Sequence, residues 1–156
     1  VGLIMESMKV PYVAIDGRAD LVDRERAAGK PVYFGDLKRA EIYRVAGVAD
    51  APLVIVAVDS PEVTERVVSS LHTAYPALPI FVRGHDMMKC QALKALGAHS
   101  TVSETLEASA ELAREALLHM GEDASEIEVA LDDLRTDYYE RTNQVRVESQ
   151  PGANIP

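Results

Sequence analysis

The sequence predicts an α/β fold built on a parallel sheet, and three observations carry that prediction. Short apolar runs recur, and each stops on an acidic or small polar residue: Tyr12–Ile15 at Asp16, Pro31–Phe34 at Gly35-Asp36, Leu53–Val58 at Asp59, and Ile80–Val82 at Arg83-Gly84-His85-Asp86. Helical patterns fill the gaps between them, as crossover connections of parallel strands require. Helix caps and stops punctuate those gaps at the expected places. Because parallel strands all point one way, Asp16, Asp36, Asp59 and His85-Asp86 gather along the carboxyl-end edge, where open α/β sheets bind ligands.

The elements follow in order. Gly2 to Met8 reads as the last two turns of a helix, followed directly by the strand Tyr12–Ile15. Asp20–Ala28 is helical and ends at Gly29, a left-handed stop. The strand Pro31–Phe34 comes next, then a helix from Lys38 to Ala46 that stops at Gly47, then the strand Leu53–Val58. Ser60-Pro61-Glu62 is a strong helix start, with a hydroxyl cap, proline at the first position and an acid in the first turn. That helix runs to about Tyr75, where Pro76 and Pro79 close it. After Ile80–Val82, Asp86 begins a helix over Met87–Leu96 that ends at Gly97, and Ser100–Val102 is a short further strand. The tail Arg146–Pro156, with one glycine and two prolines, is expected to be disordered.

In a doubly wound sheet of order 3-2-1-4-5-6 the first strand is central. Here no residues before the opening helix supply it, which leaves Tyr12–Ile15 and Leu53–Val58 without a neighbour between them. Unpaired backbone in a buried sheet is costly, so the expectation is that a first strand and its Gly-rich turn belong upstream. The alternative is a closed-up order 3-2-4-5-6.

The 156 residues, 47% hydrophobic, suffice for one α/β core. No apolar run approaches the roughly 20 residues of a membrane span, and no signal-peptide pattern opens the chain. The single cysteine, Cys90, excludes an internal disulfide framework and fits a reducing compartment. Residues 1–100 hold 12 basic and 12 acidic side chains, whereas residues 101–156 hold 4 and 13, so the net charge of −9 belongs to the last third. That acidic surface argues against nucleic acid as a partner. Catalytic signatures are lacking: there is no nucleophile elbow, paired metal-ligand spacing or phosphate loop with lysine, and the four histidines are scattered. Cys90 stands one turn into a helix without a His or second Cys beside it, which reads as packing rather than nucleophilic chemistry.

The ordered series YFGD, AGV, AVDSP, RGHD, LGA and ETLE, between Tyr33 and Glu107, resembles the RCK domain (regulator of potassium conductance, also called TrkA-N). It is most similar to the version carried by Kef-type and chloroplast-envelope potassium/proton antiporters, and the likeness covers roughly residues 1 to 120. The resemblance implies a Rossmann-like parallel sheet that binds NAD(H) or an adenine mononucleotide such as AMP or ATP. It also implies a membrane-embedded antiporter or channel portion as partner, and a place at the cytoplasmic face of an inner membrane or the stromal side of a plastid membrane.

The resemblance further implies roles for residues at the edge. Asp16, before Gly17, would accept hydrogen bonds from both ribose hydroxyls, or serve simply as a turn residue. Gly35-Asp36 would lie beside the adenine, with Asp36 as helix N-cap in the plainer reading. Ala57, Val58 and Asp59 would line the fourth strand's end, with small Ala57 letting a nucleotide approach and Asp59 supporting the cap at Ser60. Arg83 and His85 would face an anionic ligand or a partner subunit. His85 stands where similar domains carry a second arginine, and histidine titrates near neutrality where arginine does not. That departure argues against glutathione binding. The plainer reading makes His85 a strand-end residue bonded to Asp86 or to backbone.

Two apolar stripes follow the sheet: Leu106, Ala110, Ala113, Leu117 and Met120, then Ile127, Leu131, Leu134 and Tyr138 after a break at Gly121. The second has no sheet left to cover, which points to a partner, and RCK-type domains pair through such helices. The expected organisation is a domain over residues 1–120, a helical dimerisation extension over 121–145 and the tail 146–156. The expected function is nucleotide-dependent regulation of a potassium/proton antiporter or potassium transport system, by binding rather than turnover, as a homodimer. The alternatives are a fragment of an NAD-dependent oxidoreductase, or an interaction module without a ligand.

Overall fold

The computed structural model describes residues 1–144 and divides into two compact units, one over Val1–Ala51 and one from Pro52 onward. The tail predicted to be disordered, Arg146–Pro156, lies outside the described residues.

The first unit comprises α1 (Gly2–Ser7), β1 (Ala14–Asp16), α2 (Ala19–Ala27), β2 (Val32–Phe34), α3 (Glu41–Val45) and a 3-10 turn over Val48–Asp50. β1 and β2 pair in parallel, with Ala14 opposite Val32 and Asp16 opposite Phe34. α2 crosses between them and buries Val22. Val32, Tyr43 and Val48 complete this small core, and the Tyr43 hydroxyl donates to the Leu37 carbonyl at 2.7 Å.

The second unit comprises β3 (Val54–Val56), α4 (Pro61–Ala74), β4 (Ile80–Gly84), α5 (Met87–Ala95), β5 (Ser100–Ser103), α6 (Glu104–Met120) and α7 (Ala124–Gln144). Its three strands are parallel in the order β3-β4-β5, with Val56 opposite Val82 and Gly84 opposite Ser103. α4 buries Thr64, Val67, Val68 and Leu71, the i, i+3, i+4, i+7 face of an amphipathic helix. Ile80 and Val82 from β4 and Cys90 and Leu93 from α5 meet in this core. Cys90 is fully buried and burial pushes its thiol up, so it packs as the sequence reading expected.

The five strands therefore form two sheets, β1-β2 and β3-β4-β5. Every pairing within them is parallel. β1 begins two residues later than expected and takes in Asp16, β4 extends to Gly84, and two further elements are shorter than expected. The helix expected over Lys38–Ala46 shrinks to Glu41–Val45, because Leu37 and Lys38 form a turn and the helix starts after Ala40. Asp36 is thus not its N-cap. The strand expected over Leu53–Val58 stops at Val56, and Val58 instead gives its carbonyl to the Thr64 hydroxyl of α4 at 3.2 Å.

Candidate functional site

In the first unit the carboxyl ends of β1 and β2 carry Asp16 and Asp36. The Asp16 Oδ1 accepts from the Arg18 backbone N–H at 2.9 Å and from Arg18 Nε at 3.0 Å, while Oδ2 accepts from Arg18 Nη2 at 3.0 Å. That paired guanidinium holds the Asp16 carboxyl below the usual carboxylate range. The group is thus ionised at neutral pH, an acceptor only, with a fixed positive charge beside it. Gly17 makes the turn between Asp16 and Arg18. Gly35 follows β2 and donates its N–H to the Asp16 carbonyl at 3.1 Å. A Cβ at Gly35 would lie 2.8 Å from Ile15 Cγ2 and 2.7 Å from Ile42 Cδ1. Gly35→Ala is therefore expected to cost the first unit about 1–3 kcal/mol through overpacking. A thermal midpoint unchanged from wild type would contradict this. Asp36 accepts from the Lys38 N–H at 3.0 Å and faces Arg39 Nε at 3.7 Å. With Arg39, Glu41, Ile42 and Val45 it lines an open hollow of about 430 Å³.

In the second unit three helices begin at the carboxyl-end edge, each with a side-chain cap. Ser60 Oγ accepts from Val63 N–H, Asp86 Oδ1 from Lys89 N–H and Ser103 Oγ from Leu106 N–H. Their positive ends face the same edge. Asp59 does not support the Ser60 cap. Its carboxylate reaches over the strand ends to accept from Arg83 Nη2 at 2.6 Å, and the same nitrogen donates to the Ala57 carbonyl at 3.2 Å. The side chain of Asp59 is 82% exposed and that of Arg83 35%, so water competes for this pair and it contributes little to stability. His85 is exposed, and its carbonyl accepts from the Thr105 N–H at 3.0 Å and hydroxyl at 2.7 Å.

Val58, Asp59, Arg83 and His85 line a cavity of about 290 Å³. Thr64 and Glu65 of α4, Lys89 and Leu93 of α5, and Glu104 of α6 close it. Sequence reasoning missed these five residues. Thr64, Glu65, Lys89 and Glu104 lie in the first turns of their helices and Leu93 in the last turn of α5, so only the packing of the three helices brings them together. Lys89 and Glu65 pair at 3.0 Å across the cavity's rim. Among the described residues no cluster of His, Cys, Asp and Glu could hold a metal ion.

The C-terminal helices require a correction. The stripe on α7 is not without a home: Ile127 and Leu131 are buried with Ala110 of α6 and packed by Leu117, and α7 also packs against α5. Polar contacts reinforce this seat. Arg135 Nε donates to Glu107 at 3.1 Å, the Tyr139 hydroxyl donates to Glu107 at 2.9 Å, and the Tyr138 hydroxyl donates to Ser103 Oγ at 2.9 Å. Leu134 alone among the aliphatic residues of that stripe is substantially exposed, at 46%.

The TrkA-N domain family model matches residues 3–104. K(+) efflux antiporter 1, chloroplastic, of Arabidopsis thaliana is 35% identical over 136 residues, 87% of this chain and 11% of that protein. A glutathione-regulated potassium-efflux system protein of Haemophilus influenzae is 33% identical over 126 residues, 79% of this chain and 20% of that protein. The chain thus spans a fifth or less of these two relatives' length. Among solved structures, the Shewanella denitrificans Kef CTD in AMP bound form aligns with a TM-score of 0.68 and 26% identity, covering 85% of this chain and 96% of that one. With parallel strands joined by crossover helices and a family match over well above half of its length, the chain is a Rossmann-like α/β protein that belongs to the TrkA-N (RCK) domain family.

Proposed function

We propose that this chain is the nucleotide-binding regulatory domain of a potassium/proton antiporter, acting by binding rather than turnover. The observation that carries the reading is the end of β1, where an ionised, partly exposed carboxylate is held in place by Arg18. The AMP-bound state of a similar Kef domain supports an adenine mononucleotide as the ligand, with NAD(H) the second candidate. Asp16 would accept from the ribose hydroxyls and the Gly17 turn would leave room for them. Gly35 and Asp36 would flank the adenine. In the second unit, taken by itself, Ala57, Val58, Asp59, Arg83 and His85 would contact a ligand, and all of these but Ala57 line its cavity. A ligand alters the attached transporter only through a difference in its affinity for two states. The domain would sit at the cytoplasmic face of an inner membrane, or the stromal side of a plastid membrane. Among the described residues no helix is long and apolar enough to cross a membrane.

Calorimetric titration with AMP, ATP and NADH tests this directly. Saturable binding is expected, and Asp16→Ala should weaken it by about 1–3 kcal/mol, the scale of a hydrogen bond to a charged group. Unchanged affinity would remove Asp16 from the site, and steady hydride transfer would overturn the reading of binding without turnover.

The same reading makes the domain, over residues 1–120, a homodimer through a C-terminal extension over 121–145. With Ile127 and Leu131 committed to their own chain, the contact surface consists of what α6 and α7 leave outside. Met120, Val129 and Leu134 are 72%, 62% and 46% exposed. Leu134→Asp should raise the dimer dissociation constant about tenfold or more in sedimentation equilibrium, as expected for losing one leucine-sized burial. A wild type that stays monomeric at high concentration would sink the proposal.

A further inference from the structure

The cavity at the end of β4 and the helix α7 share a three-residue hinge, Ser103-Glu104-Thr105. Ser103 is fully buried and stands opposite Gly84 in the β4-β5 register. Its N–H donates to the Tyr139 hydroxyl at 3.1 Å, and its Oγ accepts from the Tyr138 hydroxyl at 2.9 Å while capping α6. Glu104 lines the cavity. Thr105 clamps the His85 carbonyl with both its N–H and its hydroxyl. One side of this hinge is therefore held by α7 and the other holds the cavity wall.

We propose that Ser103-Glu104-Thr105 couples the cavity wall at Arg83-Gly84-His85 to the seating of α7, so that the two move as one two-state element. Unseating α7 would leave the Ser103 N–H buried without its acceptor, which is unfavourable. The start of α6 then shifts to reach another partner, and Thr105 carries the His85 carbonyl with it. Burial pushes the Tyr139 hydroxyl up to about 12, so it remains protonated and continues to donate to Glu107 throughout the physiological range. Coupling free energy is reciprocal, so a molecule that draws Arg83 or His85 into the cavity changes how firmly α7 is held. This gives the regulatory reading a route from ligand to C-terminal helix. It rests on that reading for its purpose but not for its test, which uses no nucleotide.

The experiment is amide hydrogen exchange combined with imidazole NMR on the whole chain. Tyr138→Phe/Tyr139→Phe keeps both rings and removes both hydroxyls. Exchange over residues 135–143 is expected to quicken about tenfold. Protection of the Thr105 amide should fall in parallel and the His85 ring signals should shift. Thr105→Val, at an exposed position, removes the hydroxyl bond to His85 and supplies the reciprocal arm, in which residues 135–143 should again exchange faster. If the tyrosine pair only holds α7 down, the double variant loosens α7 while Thr105 and His85 stay as in wild type. That result overturns the coupling, as does a Thr105→Val protein with unaltered exchange in α7. Either failure leaves the calorimetric case for nucleotide binding standing.

Discussion

Leu131→Asp is expected to unseat α7 and to destabilise the second unit by about 4 kcal/mol or more. Leu131 is 6% exposed and meets Ala110 and Ile127. Truncating a buried leucine alone costs roughly 2–5 kcal/mol, and a carboxylate placed there adds the penalty of an unpaired buried charge. Arg135, one turn on, already pairs with Glu107 and Asp132, and the neighbouring Glu128, Asp132 and Asp133 repel a further acid. Urea denaturation followed by far-ultraviolet circular dichroism would show the loss as a lower midpoint. Leu134→Asp is the internal control: at 46% exposure it should cost under about 1 kcal/mol of folding stability. Equal losses in the two variants would mean that α7 does not pack as described. The contrast also separates folding from association, since of the two leucines Leu134 is the one left exposed.

That distinction could not be drawn from the sequence. The stripe Ile127, Leu131, Leu134, Tyr138 specifies an amphipathic helix but not what covers it. A helical period fixes which side chains share a face; the turn between helices decides where that face goes. Gly121, left-handed at φ 88°, ends α6, and the Asp123 side chain caps the next helix by accepting from the Ser125 and Glu126 N–H groups. Together they turn α7 back along α6. The break at Gly121 was legible; its direction was not.

The strands were legible because each is a short apolar run closed by a polar residue, a pattern that survives without tertiary information. The start of α4 at Ser60-Pro61 and that of α5 at Asp86 were equally plain, since a cap and its helix are adjacent in sequence. The short α3 was not. Its helix-forming composition from Lys38 onward was overridden when Asp36 bonded the Lys38 N–H in a local turn, a competition open to every Asp near a helix start. At the site, the edge positions of Asp16, Asp59 and Arg83 followed from strand direction. Their partners did not: Asp59 meets Arg83 only because β3 and β4 lie side by side, which places residues 24 positions apart within 2.6 Å. Glu104 and Lys89 reached the cavity by the same route.

Gly97→Ala should be the most disruptive single methyl added to the second unit, at about 2–6 kcal/mol. Gly97 follows α5 with φ +107°, outside the range that residues bearing a Cβ adopt without strain, and such strain costs on the order of 1–3 kcal/mol. The added carbon would also lie 2.3 Å from Cγ of the His72 ring, in the last turn of α4, and overpacking of that kind costs about 1–3 kcal/mol more. Cγ lies one bond beyond Cβ, so a ring flip about χ2 cannot clear it; His72 must change its χ1 rotamer or α4 must shift. The turn at Gly97 delivers buried Ala98 and then β5, whose Ser103 pairs with Gly84 at the cavity, so the displacement reaches the candidate site as well. A double-mutant cycle with His72→Ala divides the two costs. His72 is exposed, and its removal alone should change stability by under about 1 kcal/mol. In that background the loss from Gly97→Ala should fall to about 1–3 kcal/mol, the backbone strain alone. Chemical denaturation of the four proteins measures it. An undiminished loss in the His72→Ala background would show that the ring contact carries no energy, and a negligible loss in the wild-type background would show that the turn adopts another conformation.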